Sequence, residues 1–594
     1  MKKSVFTSLL LFFGYISFSQ LYIKNNTFVK NNSQLVFVKQ AIHLEPSALF
    51  FLRNKAQLIQ GKTGVSANSG LGKLSVFQEG TSNAYTYNYW CSPVGNPADL
   101  ENKFGILLLN RPTSAVLSSP ITTTLYDGST STSSLVVAKY WIWKYLTSNG
   151  YNLNQPNGWI HVEDAQTLKP GEGFTMKGVS GTDITNVSES TLNNPGNKQR
   201  YDFRGKPNDG DILVPVDVND YTLTGNPYPS AMNVSKFLLD PVNAACTGIA
   251  YYWEQNKNDN SHVLAAYRGG YGTYAPVSAP YTGIYVPATF NTYNSDGSLN
   301  TTGSSSGLSI ERKYAPIGQG FMIKGDALGS VTIKNEYREY VKEDSGLSQF
   351  EKNIVNQNVT YSSQTVPHLR FDITFNNQYT RQLGLILIPQ ATDLVDRGID
   401  AKSPSEESLP NDVYFYLDNS RYVIEGIPFD VNKRIKLGVK SSPNVNFTFK
   451  LSHIINFNQN QDVYIFDALT QTYHNIKNGD YSVVLPGGVI NNRFEITFTT
   501  SALNSQNITA SQISVFHNNS TQNIIIQNPN LIDLQYITVF DISGKLIFEK
   551  RILNTQLEYQ FSTSYLSEGV YVVNLKGINE LGVSEKIIIK RDNN

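Results

Sequence analysis

Strand-length apolar segments separated by turn residues run along almost the whole chain. Residues 368–375 alternate apolar and polar side chains, as a half-buried strand does, and 383–388 form an unbroken apolar run of strand length. Asn, Gly and Pro lie between such segments and supply the backbone conformations of turns. Aromatic residues, which fit pleated sheets, make up 12% of the sequence. We therefore predict an all-β protein, and a disordered chain is excluded.

Two cysteines in 594 residues limit how the chain can be stabilised. At roughly 150 residues per domain, a chain of this length has about four domains. Two thiols cannot build a disulfide framework for that many domains, so hydrophobic cores have to stabilise them. Cys91 and Cys246 can form a single bridge after export, or can stay as small buried apolar side chains.

The charges of the chain balance. It has 48 Lys and Arg residues and 48 Asp and Glu residues, so the formal net charge is zero. A nucleic-acid binder normally clusters cationic side chains on its contact surface. The balance therefore excludes nucleic acid as a partner and leaves surfaces and neutral glycans.

The first nineteen residues have the pattern of a signal peptide. A short basic start is followed by an apolar run over 5–18, which is too short for a permanent membrane anchor. The small-x-small pattern over 17–19 predicts cleavage after Ser19, with Gln20 as the first mature residue. We expect an exported protein that passes through the periplasm.

Apolar segments recur every fourteen residues near the start of the mature chain, at Leu21, Leu35 and Leu49. Asn-rich turns lie between them, as at 25–26 and 31–32. A short period with polar corners predicts a short β-solenoid over residues 20–82, in which each coil covers the apolar edge of the next. An ordinary meander of hairpins is the alternative.

Residues 83–345 contain two copies of an ordered set of three landmarks: a strand next to an Asn-Pro pair, an aromatic strand and a Gly-rich block. These landmarks are 89–97, 140–143 and 168–178 in the first copy, and 221–229, 250–254 and 315–325 in the second. Unequal loops on a shared scaffold are typical of a duplicated β domain. In the Gly-rich blocks we expect glycine to adopt a positive φ and Phe174 and Phe321 to face the core. The segment 201–212, rich in Gly, Pro and Asn, is predicted to be the hinge between the copies.

Residues 346–505 are predicted to form a β-sandwich, because their strands follow at regular spacing with turn residues between them. Asp393, Asp396 and Asp400 lie close together in this region, within a span of eight residues. Hard oxygen ligands so close together can bind calcium, although the spacing is not that of an EF-hand loop. The alternative is a set of turn-forming aspartates paired with Arg397.

The sequence nominates no catalytic residues, and we predict that the protein is not an enzyme. Its seven histidines are scattered without the spacing of metal ligands, and no Gly-x-Ser-x-Gly motif occurs. A carboxylate pair for glycoside hydrolysis needs only proximity in space, so an undetected hydrolase is an alternative.

Aromatic side chains are the candidates for ligand contact. Trp253 and Tyr271 are the predicted glycan contacts, since aromatic faces stack against sugar rings and Tyr271 lies in a Gly-rich segment predicted to be an exposed loop. Trp141 and Trp143 belong to the same aromatic set and share one face of a predicted strand. Aromatic residues placed in this way are more often part of the core, so the core is the favoured interpretation and a ligand platform is the alternative.

The C-terminal residues show a strand, a Ser-Gly turn at 543–544, a returning strand, a second turn into a strand and a final strand with a basic end. This spacing closely resembles the C-terminal type A sorting domain of the type IX secretion system, a small β-sandwich. The resemblance assigns residues 506–594 to a sorting domain. The sorting residues that it implies are Asp541, Gly544, Lys545, Gly569 and Lys590.

In that family the translocation machinery recognises the domain, and the cargo is released or attached to surface lipopolysaccharide. The family usually opens with Tyr-Pro-Asn-Pro, whereas this chain has Val-Phe-His-Asn-Asn at 515–519. Residues 50–345 and the following sandwich also resemble parts of large secreted proteins of Bacteroidetes, a resemblance that carries no enzymatic activity. A plain terminal sandwich without a sorting role is the alternative.

The sequence thus predicts an exported, non-enzymatic cell-surface or secreted protein with an adhesive or structural role. Its partners are the type IX secretion machinery and, outside the cell, surface lipopolysaccharide or an extracellular glycan. A glycan-binding accessory protein of polysaccharide utilisation is the alternative function. Calcium is the one candidate ion.

Overall fold

The structure is a computed structural model of the chain. The residues that it describes are 20–146, 158–187, 191–196, 198–256, 258–263, 266–293, 299–305, 312–343, 347, 348, 350, 363–376, 379–403, 409–500, 513–529, 531, 533–552, 555–577 and 582–591. The predicted signal peptide, including Ser19, lies outside these residues, and Gln20 is the first residue described. The chain divides into two compact units, Met1–Phe498 and Thr499–Asn594.

Both units are built from β-strands, which confirms the all-β prediction. The described residues contain the α-helix Val234–Leu239, which the side chain of Asn233 caps by accepting a hydrogen bond from the Lys236 amide at 3.0 Å. Short 3₁₀ turns occur at Ile106–Leu108, Lys139–Trp141, Pro241–Asn243 and Asn335–Tyr337. In the part of the chain that is described, no helix has the length and apolar character to cross a membrane.

The N-terminal strands stack in parallel as successive coils. The strands of the first two coils and of the start of the third are Leu21–Ile23, Phe28–Asn32, Leu35–Val38, Ile42–Leu44, Leu49–Arg53, Gln57–Gln60 and Lys73–Glu79. Leu21 pairs with Ile42, Phe28 with Leu49, and Leu35 with Gln57. Parallel pairing of this kind is the arrangement of a solenoid and not of antiparallel hairpins.

The coil repeat differs from the fourteen-residue interval seen in the sequence. Strands that stack on each other are 21 residues apart at Leu21 and Ile42 (42 − 21 = 21) and 22 apart at Leu35 and Gln57 (57 − 35 = 22). Each coil has three strands, so the fourteen-residue interval joins strands on different faces. The predicted solenoid is therefore present, but its repeat is 21–22 residues and not fourteen.

The first repeat copy packs on the coils and shares one core with them. Its strands are Tyr87–Cys91, Val94–Gly95, Leu109–Pro112, Ser118–Pro120, Thr122–Thr124, Ser129–Thr130, Leu135–Ala138, Trp143–Tyr145, Trp159–His161, Gly173–Lys177, Ser180–Gly181, Asp183–Asn186, Leu192–Asn194 and Arg200–Pro207. The core contains Phe50 and Leu58 from the coils and Trp90, Phe104 and Phe174 from the copy.

The second copy repeats the arrangement of the three landmark strands of the first. Its strands are Ile212–Val216, Tyr221–Gly225, Ala231–Asn233, Cys246–Gln255, Gly269–Ala275, Ile284–Val286, Thr289–Tyr293, Leu299–Ser305, Tyr314–Ala315, Gly320–Gly325, Gly329–Ile333 and Arg338–Glu339. In both copies the strand of the Gly-rich block lies between the strands of the other two landmarks. The three landmarks therefore form the same three-stranded arrangement twice.

The Gly-rich blocks have the predicted conformation. Gly171 and Gly318 adopt φ values of +85° and +79° in the turns before these strands. Phe174 and Phe321, a few residues later, are fully buried. A left-handed glycine followed by a core aromatic residue is therefore confirmed in each copy.

The predicted hinge at 201–212 is wrong for most of its length. Arg200–Pro207 is a strand that pairs antiparallel with Lys73–Glu79, and Tyr201 and Phe203 on it are buried in the core. Gly205 is needed there because a Cβ would lie 2.1 Å from the carbonyl oxygen of Gly95. The glycine permits close strand packing and does not mark a flexible joint.

The region after the repeats forms two packed antiparallel-rich sheets. Their strands are His368–Phe375, Tyr379–Leu387, Asp412–Leu417, Ser420–Tyr422, Ile424–Ile427, Arg434–Ser441, Val445–Ile455, Tyr464–Asp467, Thr472–Asn475, Tyr481–Leu485 and Gly488–Thr497. The core of these sheets is continuous with that of the second copy, because Leu223, Tyr251 and Ile284 belong to the same cluster as Leu385 and Phe447. The repeats and the sandwich are thus one packed body.

The C-terminal unit has a three-stranded and a four-stranded sheet. The strands are Ser514–Asn518, Asn523–Gln527, Leu534–Asp541, Leu546–Arg551, Glu558–Ser562, Gly569–Gly577 and Gly582–Ile589. This unit has a hydrophobic core of its own. Inward-facing residues of its strands form that core, among them Ile524, Ile537, Val573 and Ile587.

Candidate functional site

The turn at 541–545 in the C-terminal unit is fixed by its own polar groups. The Asp541 amide donates to the Lys545 carbonyl at 3.0 Å, and the Gly544 amide donates to the Asp541 carbonyl at 3.0 Å. The Asp541 carboxylate accepts the amides of Ser543 and Lys545 at 2.8 and 3.1 Å. Gly544 has a φ of +82°, which favours glycine. The predicted sorting residues Asp541, Gly544 and Lys545 therefore belong to one hairpin turn.

Hydrogen bonds to its charged form stabilise the Asp541 carboxylate. The Ser543 hydroxyl and then the Lys545 amide hold the pKa of Asp541 below its ordinary value. The turn therefore keeps a fixed negative charge in a defined position on the surface of the unit.

Gly569 and Lys590 lie elsewhere in the same unit. Gly569 begins the strand Gly569–Gly577, which lies between Leu534–Asp541 and Gly582–Ile589. The Lys590 amide donates to the Asn519 side chain at 3.1 Å, so the end of the last strand is tied to the first hairpin. The structure thus distributes the predicted sorting residues over one small sandwich.

The three aspartates of the 393–400 loop have separate partners. Asp393 makes an ion pair with Lys433, and Asp396 accepts hydrogen bonds from the amide and hydroxyl of Thr392 at 2.6 and 3.0 Å. Asp400 is buried and accepts the amides of Asp396 and Gly426 at 2.6 and 2.7 Å. Among the described residues, no group of three or more His, Cys, Asp or Glu side chains is placed to hold a metal ion.

Arg397 binds main-chain oxygens of the second repeat copy instead of these aspartates. Its guanidinium donates to the carbonyl oxygens of Leu238 and Asn243 at 2.8 and 2.9 Å and of Cys246 at 3.1 Å. The loop is therefore attached to the second repeat copy, and its aspartates serve as turn and backbone acceptors.

Asp400 and Glu425 form a buried acidic pair that the sequence did not indicate. Burial raises the pKa of Asp400 to about 7. Burial, reinforced by the charge of Asp400, raises the pKa of Glu425 to about 8. Within the described part of the chain, Oε2 of Glu425 has no hydrogen-bond partner. Asp400 lies in a loop and Glu425 on the strand Ile424–Ile427, so only the fold shows the pair.

The two cysteines, both of them among the described residues, are free thiols and form no bridge. Cys91 packs against Gly225, where a Cβ would lie 2.6 Å from the Cys91 Cβ, while the Cys246 thiol donates to the Asn243 carbonyl at 3.3 Å. Burial raises the pKa of both thiols, which keeps them protonated and unreactive.

The predicted glycan contacts are largely internal. Trp253 is buried, with its ring parallel to that of Tyr89 at a centroid distance of 6.1 Å. Tyr271 is half-buried on the strand Gly269–Ala275 and hydrogen-bonds the Tyr89 hydroxyl at 2.7 Å. The segment is not the exposed loop predicted from its glycines. These glycines allow close packing, since a Cβ on Gly272 would lie 1.8 Å from the Tyr285 hydroxyl.

A half-exposed cluster of rings is formed instead by the first repeat copy together with His262 of the second. The Trp143 and His161 rings stack at 4.1 Å, and the Trp141 and His262 rings stack at 4.9 Å. Tyr140 contacts both tryptophans edge-on, at 4.8 and 6.0 Å. We call this surface the aromatic patch; it consists of Tyr126, Tyr140, Trp141, Trp143, His161 and His262.

Sequence reasoning found the tryptophans of the patch but not its histidines. His262 lies far from Trp141 in the sequence and reaches it only through folding. Trp141 ends a 3₁₀ turn and Trp143 begins a strand, so the two rings do not share one strand face as predicted.

Beneath the patch lies Lys177, a buried lysine surrounded by aromatic rings. Its Nζ lies 3.5 Å from the Trp141 ring centroid, contacts the Tyr267 hydroxyl and donates to Nδ1 of His262 at 2.9 Å. Nε2 of His262 contacts Asp127 at 2.9 Å. Burial lowers the pKa of Lys177 to about 7. The lysine fills the inner side of the ring cluster and fixes its geometry.

Comparison with protein families assigns both parts of the chain. The family model described as "Domain of unknown function (DUF8693)" matches residues 109–498, more than half of the chain. The family model described as "Secretion system C-terminal sorting domain" matches residues 514–590. No curated protein matches the chain.

Several solved structures have low similarity to the chain. An immunoglobulin-like β-sandwich protein of Bacteroides vulgatus has 15% identity, a TM-score of 0.12, and coverage of 13% of this chain and 84% of that one. The 47-kilodalton lipoprotein of Treponema pallidum has 10% identity, a TM-score of 0.14, and coverage of 63% and 92%. The BSP domain of a biofilm-associated protein has 10% identity, a TM-score of 0.12, and coverage of 90% and 98%. Similarities this low indicate nothing about function.

Proposed function

The chain belongs to the DUF8693 family of domains of unknown function, and from that premise we propose that it is a non-enzymatic, adhesive or structural component of the cell surface. The single observation that carries the proposal is the union of one continuous packed β body with a C-terminal secretion-system sorting domain.

The sorting domain determines where the protein goes. A type IX secretion sorting domain makes the chain a cargo of that machinery, and its destination is the medium or the outer cell surface. Such a domain also implies a Bacteroidetes origin. Cleavage between Ser19 and Gln20 remains a prediction.

Buried ion pairs support a structural role for the large unit. Arg111 and Asp183, both buried, form a bidentate pair at 2.7 and 2.8 Å. Lys144 pairs with Glu172 at 2.8 Å, and Arg381 with Asp412 at 2.6 Å. Buried pairs with good geometry penalise any movement that separates them. The body is suited to act as a rigid spacer or support outside the cell.

The aromatic patch is the proposed contact surface of this support. Its rings are half-exposed and held by stacking and by hydrogen bonds such as Trp141 Nε1 to the Tyr126 carbonyl at 2.8 Å. Rigid aromatic side chains provide contact area with little loss of conformational entropy. A neutral protein with such a patch suits attachment to uncharged surfaces.

Cell attachment tests this proposal. Cells that display the full chain should attach to a surface, and cells carrying Trp143→Ala should attach several-fold less. Phe28→Ala, which removes an exposed ring outside the patch, is the matched control and should attach normally. Equal attachment by the displaying strain and a strain without the gene would contradict an adhesive role. Release of reducing ends from polysaccharides by the purified full chain would contradict the non-enzymatic role.

A glycan-binding accessory protein is the second candidate function, favoured by the stacked rings of the patch. Sugar rings present an apolar face that packs on aromatic side chains. The full chain should then bind neutral glycans on an array, and Trp143→Ala should lose that binding while Phe28→Ala keeps it. A chain that attaches to cells or surfaces but binds no glycan would favour the first candidate over the second.

A further inference from the structure

A cavity of about 530 Å³ lies where the coils, the first copy and the end of the second copy meet. Its walls come from the coil turn at 54–57, the strand Lys73–Glu79, the segment 198–200 and the segments 316–317 and 341–343. The volume is within the range of small-molecule sites, which often form where parts of a protein meet. We call it the basic cavity, after its lining residues Lys55, Lys198, Arg200 and Lys342.

The charge of the lining is strongly uneven for a neutral protein. Four basic side chains face two acidic ones, Glu79 and Glu343, which leaves two formal positive charges in excess (4 − 2 = 2). Lys198 and Arg200 share the Glu79 carboxylate at 2.8 and 2.6 Å. Glu343 accepts a hydrogen bond from the Gln78 amide at 3.0 Å. A concave wall with one excess sign concentrates the potential and attracts an anion.

An aromatic ring gives the cavity an apolar face. Phe77 is half-buried and lines the cavity, and the Arg53 guanidinium lies 3.6 Å from its centroid. Arg53 is itself fixed by donating to the Ser75 carbonyl at 2.9 Å and to the Ser75 hydroxyl at 2.7 Å. The ring is therefore held in place, and a flat ligand can pack against it without ordering the side chain first.

Polar groups complete the lining. The polar residues Asn54 and Gln78 line the cavity together with the apolar residues Leu52, Val76 and Ile317. A bare inorganic anion has no use for an apolar face. A sugar ring, with its apolar C–H face and polar hydroxyl edge, matches a wall of both kinds.

The coil is modified where it borders the cavity. Phe28 and Leu49 stack 21 residues apart, but Leu35 and Gln57 stack 22 apart, so the second coil has one extra residue in the turn between these strands. Asn54 and Lys55 in this turn have φ values of +50° and +62°. Left-handed residues other than glycine cost conformational energy and are concentrated at functional sites. Lys55, in this lengthened turn, is one of the residues that line the cavity.

We propose that the basic cavity binds a carboxylate-bearing sugar, such as one uronic acid residue of an acidic glycan. The carboxylate takes the excess positive charge, the sugar face packs on Phe77, and the amides contact the hydroxyl groups. This site is separate from the aromatic patch, whose proposed targets are uncharged.

The test is a calorimetric titration of the full chain with digalacturonic acid and with its uncharged methyl ester. The acid should bind roughly tenfold more tightly than the ester, and higher salt should reduce the difference. Lys55→Gln combined with Lys342→Gln should weaken binding of the acid roughly tenfold and bring it close to that of the ester. Lys24→Gln combined with Lys73→Gln makes the same charge change at exposed positions on the coils and should leave both affinities unchanged.

Several results would overturn the proposal. One is that the acid shows no saturable binding, and another is that the chain binds acid and ester with equal affinity. A third is that the Lys24→Gln and Lys73→Gln control loses as much binding as the cavity variant. Each of these results contradicts the proposal. Inorganic phosphate that binds as tightly as the acid would show an ion site without sugar recognition. Phe77→Leu tests the packing of the sugar face on the ring. This variant should weaken the binding of acid and ester to the same degree, because both carry the same sugar face. Thermal unfolding of each variant shows that it is folded.

Discussion

The guanidinium of Arg370 donates a hydrogen bond to the main-chain carbonyl oxygen of Tyr285 at 2.9 Å, and both residues are buried. Arg370 belongs to the sandwich and Tyr285 to the second repeat copy. Beside them, a Cβ on Gly384 would lie 2.6 Å from Ile284 Cδ1, so the two regions approach closely. The bond therefore crosses between regions that the sequence separated at residue 345.

Replacing Arg370 should weaken the whole large unit and not the sandwich alone. Arg370→Ala should lower the free energy of unfolding by about 2–3 kcal/mol, since it removes a charged donor from a buried acceptor. Lys436→Ala, at an exposed position of the sandwich, is the control and should change it by less than about 0.5 kcal/mol. Urea unfolding followed by tryptophan fluorescence reports the repeats, whose tryptophans lie outside the sandwich. A variant that leaves this transition unchanged would contradict the single packed body.

The Arg111 and Asp183 pair gives a second prediction. Asp183→Ala should lower the free energy of unfolding by about 3–5 kcal/mol, because it leaves the buried guanidinium of Arg111 without its carboxylate. Glu101→Ala breaks an exposed pair with Lys103 and should leave unfolding unchanged. Chemical denaturation of the three proteins measures the difference, and equal stability of both variants would show that burial of the pair has no effect.

Glu425 predicts that stability falls with rising pH. Its pKa is about 8 in the folded chain against 4.5 as the ordinary value. The folded chain therefore keeps a proton that the unfolded chain releases, and stability is lost as pH rises between these values. Glu425→Gln should raise Tm at pH 8.5 and change it little at pH 4.5. Glu336→Gln, at an exposed position, should retain the wild-type profile. Parallel profiles for wild type and Glu425→Gln would refute the assignment.

The lowered pKa of Lys177 predicts that stability increases with pH in a higher pH range. Its pKa is about 7 in the folded chain against 10.5 as the ordinary value. The unfolded chain therefore binds a proton that the folded chain lacks, and stability rises with pH between about 7 and 10.5. Lys177→Met should remove this rise and increase Tm at pH 7, whereas Lys436→Met should not. Thermal unfolding over this range gives the result, and a rise that persists in Lys177→Met would assign it to another group.

The sequence was most informative where a local rule controls the structure. The positive φ of Gly171 and Gly318 could be predicted, and so could the burial of Phe174 and Phe321. A left-handed turn and a core ring each depend on only a few neighbouring residues. The turn of Asp541 and Gly544 is local in the same way. These features required no knowledge of distant parts of the chain.

Features that depend on distant pairing were misinterpreted or missed. The glycines at 205 and 272 indicated a hinge and a loop, but they permit close contact with Gly95 and Tyr285. Trp253, a candidate glycan contact for which the core was the other interpretation, is buried and stacks on Tyr89. The basic cavity draws its lining from segments near 55, 198 and 342, so its charge is visible only in the folded chain.

Export is the central claim, and a surface-exposure measurement on intact cells tests it most directly. The full chain and a variant lacking residues 514–590 are produced in a host with type IX secretion, and each is exposed to external protease. Protease should degrade the full chain at the surface, or the chain should be found in the medium, while the truncated chain stays protected in the periplasm. A truncated chain that reaches the surface or the medium as efficiently as the full chain would show that residues 514–590 do not direct export.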